Sequence, residues 1–61
     1  MKLVEYIKNG RCAFVTERGT DYRVVFIDSY FEIQHEKFCN TFGIADFYAK
    51  KWVDFNDDVI Q

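Results

Sequence analysis

Asn9-Gly10 stands between two short apolar-rich runs, Leu3-Val4-Glu5-Tyr6-Ile7 and the segment from Cys12 to Glu17. No other feature constrains the chain as much. A type I′ turn needs positive φ at both central residues, and Asn-Gly tolerates that better than any other natural pair. The two runs are therefore predicted to pair antiparallel across a two-residue loop. Turn chemistry returns at Arg18-Gly19-Thr20-Asp21, and the next run, Tyr22 to Ile27, is rich in β-branched and aromatic side chains. Three meandering strands are predicted over 3–7, 12–17 and 22–27.

The following stretch, FIDSYFEIQHEKF, carries two signals. Ser29 with Glu32 three residues on has the form of a helix capping box. Residues 31–36 instead alternate apolar and polar, as a strand does. Register favours the strand. With two-residue loops at Asn9-Gly10, Gly19-Thr20 and Asp28-Ser29, one sheet face collects Val4, Tyr6, Ala13, Val15, Tyr22, Val24, Phe26, Phe31, Ile33 and His35. A slip of one residue would bring Glu32 and Gln34 onto that face instead. A fourth strand is predicted over 30–36, with Ser29 in the turn.

After Asn40-Thr41 the period changes. Ile44, Phe47, Tyr48, Lys51, Trp52 and Phe55 recur at helical spacing, with Ala45 and Ala49 beside the stripe and Asp46, Lys50 and Asp54 on the wet side. Asn40 or Thr41 is the expected N-cap. The helix is predicted over 42–55, and 56–61 reads as a short tail. The fold class is α+β: a four-stranded antiparallel meander with one C-terminal amphipathic helix packed on one face, ββββα. The expected core sets Phe47, Trp52 and Phe55 of the helix on Val15, Val24, Phe26 and Ile33, with His35 at its edge beside Tyr22. The 61 residues read as one small complete domain. A chain this short is marginally stable unless something helps it, and aromatics at 20% of residues are one aid.

One helix covers one face. The same registers put Ile7, Cys12, Phe14, Arg23, Val25, Ile27, Tyr30 and Glu32 on the other, together with Leu3, Glu5, Thr16 and Gln34. Ile7, Cys12, Ile27 and Tyr30 form one row there, Phe14 and Val25 the next, and Glu5 and Glu32 flank them. An apolar patch rimmed by charge is the form of an interaction surface. These residues are the expected partner-binding set. The bland reading is that the tail, through Val59 and Ile60, folds over them.

No catalytic residue is assigned. His35 is the only histidine; Glu36 would point to the opposite face, and Cys39 would need the chain to coil back. Cys12, His35 and Cys39 lack the short paired spacing of zinc ligands, so no metal is expected, and no cofactor. Asp54, Asp57 and Asp58 resemble no calcium loop. Phosphate-binding and nucleophile-elbow motifs are absent from the sequence.

Net charge is −2, with both signs mixed along the chain. That is no footprint for nucleic acid. Phe14, Tyr30 and Arg23 would make a stacking platform for single strands, but Glu5 and Glu32 share the face and would repel phosphate. Two cysteines are too few for a secreted disulfide scaffold, and neither a signal peptide nor a membrane span is read. The expectation is a cytoplasmic, non-enzymatic protein that works by protein–protein contact, with a host target or a second copy as partner. Plentiful Phe, Tyr, Ile, Asn and Lys hint at an AT-rich genome, which suits a bacteriophage accessory protein that inhibits a host enzyme or defence factor. A nucleic-acid-binding module on the open face is the runner-up.

Overall fold

The computed structural model describes residues 1–28 and 33–54, with Gln34 described in its backbone alone. Strands β1 (Lys2–Lys8), β2 (Arg11–Arg18), β3 (Asp21–Ile27) and β4 (Ile33–Cys39) form one antiparallel sheet in chain order, and helix α1 (Phe42–Asp54) packs on one face. The small α+β fold expected from the sequence is what the chain adopts. Tyr30 to Glu32, the expected opening of the fourth strand, Phe55, the expected end of the helix and a core residue, and the tail 56–61 lie outside the described residues.

The first hairpin forms as its turn dictates. Lys8 pairs with Arg11, and Asn9 and Gly10 both have positive φ, 56° and 74°. The second closes with Arg18 opposite Asp21 around Gly19 at φ 56°. Side-chain alternation then sends Ala13, Val15, Val24 and Phe26 toward the helix, and all four are buried.

The third connection departs from expectation. Val25 pairs with Glu36, Phe26 with His35 and Val24 with Lys37, with an irregularity between Phe26 and Ile27. The expected pairing set Phe26 against Phe31, so the strand is displaced by four residues. The cause is the turn. Asp28-Ser29 lacks a Gly or Asn suited to positive φ at its second position, so it is poorly suited to a two-residue loop, and Ile27 pairs with Ile33 instead of Tyr30. The shift is even, so His35 keeps its face, but it stacks on Phe26, with ring centroids 5.7 Å apart, and Cys39 takes the place opposite Tyr22. Ile33, expected in the core, lies beyond the irregularity opposite Ile27 and is 61% exposed.

The helix also rolls away from the expected stripe. Thr41 caps it, its hydroxyl accepting from the Ile44 amide at 3.3 Å. The buried side chains are Ala45, Ala49 and Val53, spaced i, i+4, i+8, and Trp52 packs at their edge. Phe47 is 56% exposed and does not enter the core, while Ile44 and Tyr48 remain on the outer flank. Small side chains let the backbone come close to the sheet, which bulky ones would prevent. Polar ties on the β1 side set the roll. The Tyr6 hydroxyl donates to Asp46, Lys8 Nζ to Asp54 at 2.8 Å, and Asn9 Nδ2 to the Val53 carbonyl at 2.8 Å. The helix therefore lies over β1 to β3 and touches β4 least.

Candidate functional site: the open sheet face

The face turned away from the helix is built from four strands. Its row nearest the Asn9-Gly10 turn reads Ile7, Cys12, Ile27, Ile33 across the sheet, and the next reads Glu5, Phe14, Val25, Glu36. Of the expected contact residues, Ile7, Cys12, Phe14, Arg23, Val25 and Ile27 stand on this face, while Tyr30 and Glu32 lie outside the described residues. Ile33 occupies the place expected for Tyr30, and Glu36 that expected for Glu32. Phe38, opposite Arg23, takes the position expected for Gln34. Among the described residues the β4 side of the face is thus more apolar than anticipated.

Exposure separates these residues. Ile7 is 76% exposed, Ile33 61% and Phe38 50%. Val25 is fully buried although it faces away from the helix. Its neighbours on the face, Phe14, Arg23, Ile27 and Glu36, are all larger and stand around it, so it supports the patch from below and offers a partner no surface. Beside it, Ile7, Cys12 and Ile27, with Glu5, Gly10, Arg11 and Asp28, line a shallow, mainly apolar groove of about 360 Å³.

The charges on this face are matched. Lys2 pairs with Glu5 at 3.0 Å and its ammonium lies 4.8 Å from the Phe14 ring centre. That geometry follows from a second register shift, between Lys2 and Val4, which places Lys2 opposite Thr16 where Leu3 was expected. Arg23 pairs with Glu36 at 2.9 Å. Arg18 pairs with Asp21 at 3.8 Å and covers the Phe38 ring at 4.5 Å. Hydrogen bonding from Lys2 and from Arg23 holds the Glu5 and Glu36 carboxyls below the usual range. Three cations meet three carboxylates, and the face carries no net charge among the described residues.

The residues weighed for chemistry are dispersed. Cys12 is on the open face, and His35 and Cys39 are on the helix side. Along an extended strand, His35 and Cys39 sit about 13 Å apart. Burial, then the hydrogen bond to Glu5, pushes the Cys12 thiol up from its ordinary value, which keeps it protonated and poorly nucleophilic. Among the described residues no three His, Cys, Asp or Glu side chains gather as a metal site, and no helix is long and apolar enough to cross a membrane.

No family model, curated protein or solved structure matches this chain.

Proposed function

We propose that this is a non-enzymatic binding protein whose working surface is the open sheet face, and that the contact it makes is protein–protein. The observation that carries the reading is the pairing of exposed Ile7, Ile33 and Phe38 with a neutralised charge set on the same face. Each large apolar side chain left half-exposed forgoes roughly 1 kcal/mol or more of burial, which a partner recovers. Phosphate recognition needs cations that are free to meet it, and here Lys2, Arg18 and Arg23 already serve carboxylates. That disfavours a nucleic-acid platform on this face.

A second copy is the occupant the face itself describes. Its balanced charges do not repel their own image, and two such faces stacked about a two-fold axis bury the apolar rows of both. A dimer also answers the stability problem of a small domain. A different partner, including the host target suggested by composition, would use the same rows and compete with self-association, blocking its partner's surface by occlusion.

The test is solution mass by light scattering over a wide concentration range, for the wild type and an Ile7→Glu/Ile33→Glu variant. Both positions are exposed, so the variant should keep the wild-type circular dichroism. A wild-type dimer that becomes a folded monomer in the variant supports the reading. A wild type that stays monomeric at every concentration, or a dimer unaffected by the two glutamates, overturns the second-copy assignment.

A further inference from the structure

On the opposite side of the sheet, the roll of α1 toward β1 leaves a cleft between the helix and β4. Phe26, His35, Lys37, Tyr48, Lys51 and Trp52 line it, and its volume is about 320 Å³. Its floor is a set of flat rings. Phe26 and His35 stack with an interplanar angle of 14°, and Trp52 leans on Phe26 at 5.5 Å between centroids. The Trp52 indole N–H donates to the Ile27 carbonyl at 3.0 Å, which fixes the ring in place.

The charge distribution singles this cleft out. Lys2, Lys8, Arg18, Arg23 and Lys50 each lie within ion-pair distance of a carboxylate. Lys37 and Lys51 have no carboxylate partner among the described residues, and both line the cleft. Their ammonium groups instead rest near rings, Lys37 at 4.8 Å from the centre of Tyr48 and Lys51 at 5.7 Å from that of Phe47. No carboxylate is among the described lining residues. In a chain with an excess of acids, two lysines without a carboxylate partner among the described residues meet at one aromatic hollow.

We propose that this cleft binds a small ring compound carrying a phosphate group. The ring stacks on His35 and Trp52, which the buried Phe26 backs from beneath, and Lys37 and Lys51 approach the phosphate from the two walls, one on β4 and one on α1. Lysine suits a phosphate dianion as a mobile point charge with three donors. Pockets that hold small ligands begin at roughly 300 Å³, so the space takes one ring and its anion and not a drug-sized molecule. The site is on the other face from the proposed protein contact and does not rest on it.

The experiment is an NMR titration of the intact protein, following the backbone amides and the single tryptophan indole N–H. The probes are adenosine monophosphate, phenyl phosphate, adenosine and inorganic phosphate. Saturable shifts around Phe26, His35, Lys37, Tyr48, Lys51 and Trp52 are expected with the two phosphate-bearing rings. Adenosine and inorganic phosphate alone should bind at least about tenfold more weakly, and Lys37→Gln/Lys51→Gln should weaken the ring phosphates by about tenfold or more. A preference between the first two probes separates a nucleotide ligand from a simpler aryl phosphate. Both lysines are exposed, so the double variant should fold. The proposal fails if neither ring phosphate saturates the cleft, if the neutral nucleoside or bare phosphate binds equally well, or if the double variant binds as the wild type does.

Discussion

The Tyr6 hydroxyl donates a hydrogen bond to the Asp46 carboxylate, tying the middle of β1 to the first half of α1. The bond responds to pH at both ends of the scale. It holds the Asp46 carboxyl below its ordinary 3.8, with help from Lys50, and pushes the Tyr6 phenol above its ordinary 10.0. A depressed carboxyl contributes stability above its unfolded value that is lost as pH falls through the folded one. A raised phenol contributes below its unfolded value and loses that contribution as pH rises through the folded one. Melting temperature should therefore fall on the acid side below 3.8 and on the alkaline side above 10.0. Tyr6→Phe should flatten the alkaline limb and make the acid limb shallower, since Lys50 still holds Asp46. Superimposable pH profiles for the two proteins would mean that the bond contributes nothing.

The buried face of the helix predicts an inverted pattern of sensitivity. Ala49 is fully enclosed against the sheet, whereas Phe47 is mostly in water. Ala49→Leu should cost about 1–3 kcal/mol, because the extra methylenes push the helix off β2 and β3. Phe47→Ala should stay within about 0.5 kcal/mol. Urea denaturation decides between this and the amphipathic-stripe reading, which requires the phenylalanine to be the costly site.

Asn9 does two things that substitution can separate. It adopts φ 56° in the turn, and its side chain donates to the Val53 carbonyl at the end of α1. Asn9→Gly keeps the turn and loses the helix cap, and should cost about 0.5–1.5 kcal/mol. Asn9→Ala also loses the residue's tolerance of positive φ, which adds about 1 kcal/mol or more. Equal denaturation midpoints for the two variants would show that the turn conformation carries no penalty.

What the sequence revealed follows the physics of each signal. Asn9-Gly10 acts locally and needs nothing beyond its own backbone, so the first hairpin and its register from the turn as far as Val4 were legible, while the shift between Lys2 and Val4 was not. Period-two alternation survives any even displacement, which is why the faces of Phe26 and His35 were assigned correctly although the β3–β4 pairing is shifted by four. That pairing was misread because Asp28-Ser29 was treated as a tight turn without the residues one requires. The helix was recognised from its spacing, yet its roll depends on Tyr6, Lys8 and Asn9 reaching Asp46, Asp54 and Val53 across forty or more residues. Periodicity within one segment carries no record of such partners. The hollow beside β4 is a consequence of the same roll and was likewise hidden.

Val25 and Ile7 share the open face, and the structure gives them different tasks. Val25 is enclosed by its larger neighbours, while Ile7 stands 76% exposed at the rim of the groove. Val25→Ala removes buried methyl groups and leaves a void that Phe14 and the Arg23–Glu36 pair cannot readily fill. It should cost about 1.5–3 kcal/mol. Ile7→Ala removes surface that water already reaches, and should change the stability of the isolated chain by less than about 0.5 kcal/mol. Self-association should respond in the opposite order, weakening with Ile7→Ala and holding with Val25→Ala wherever that variant is folded. Chemical denaturation at low protein concentration measures the first quantity and light scattering at high concentration the second. If Ile7→Ala destabilises the dilute protein as much as Val25→Ala does, Ile7 is packed within its own chain and is not the contact residue proposed here.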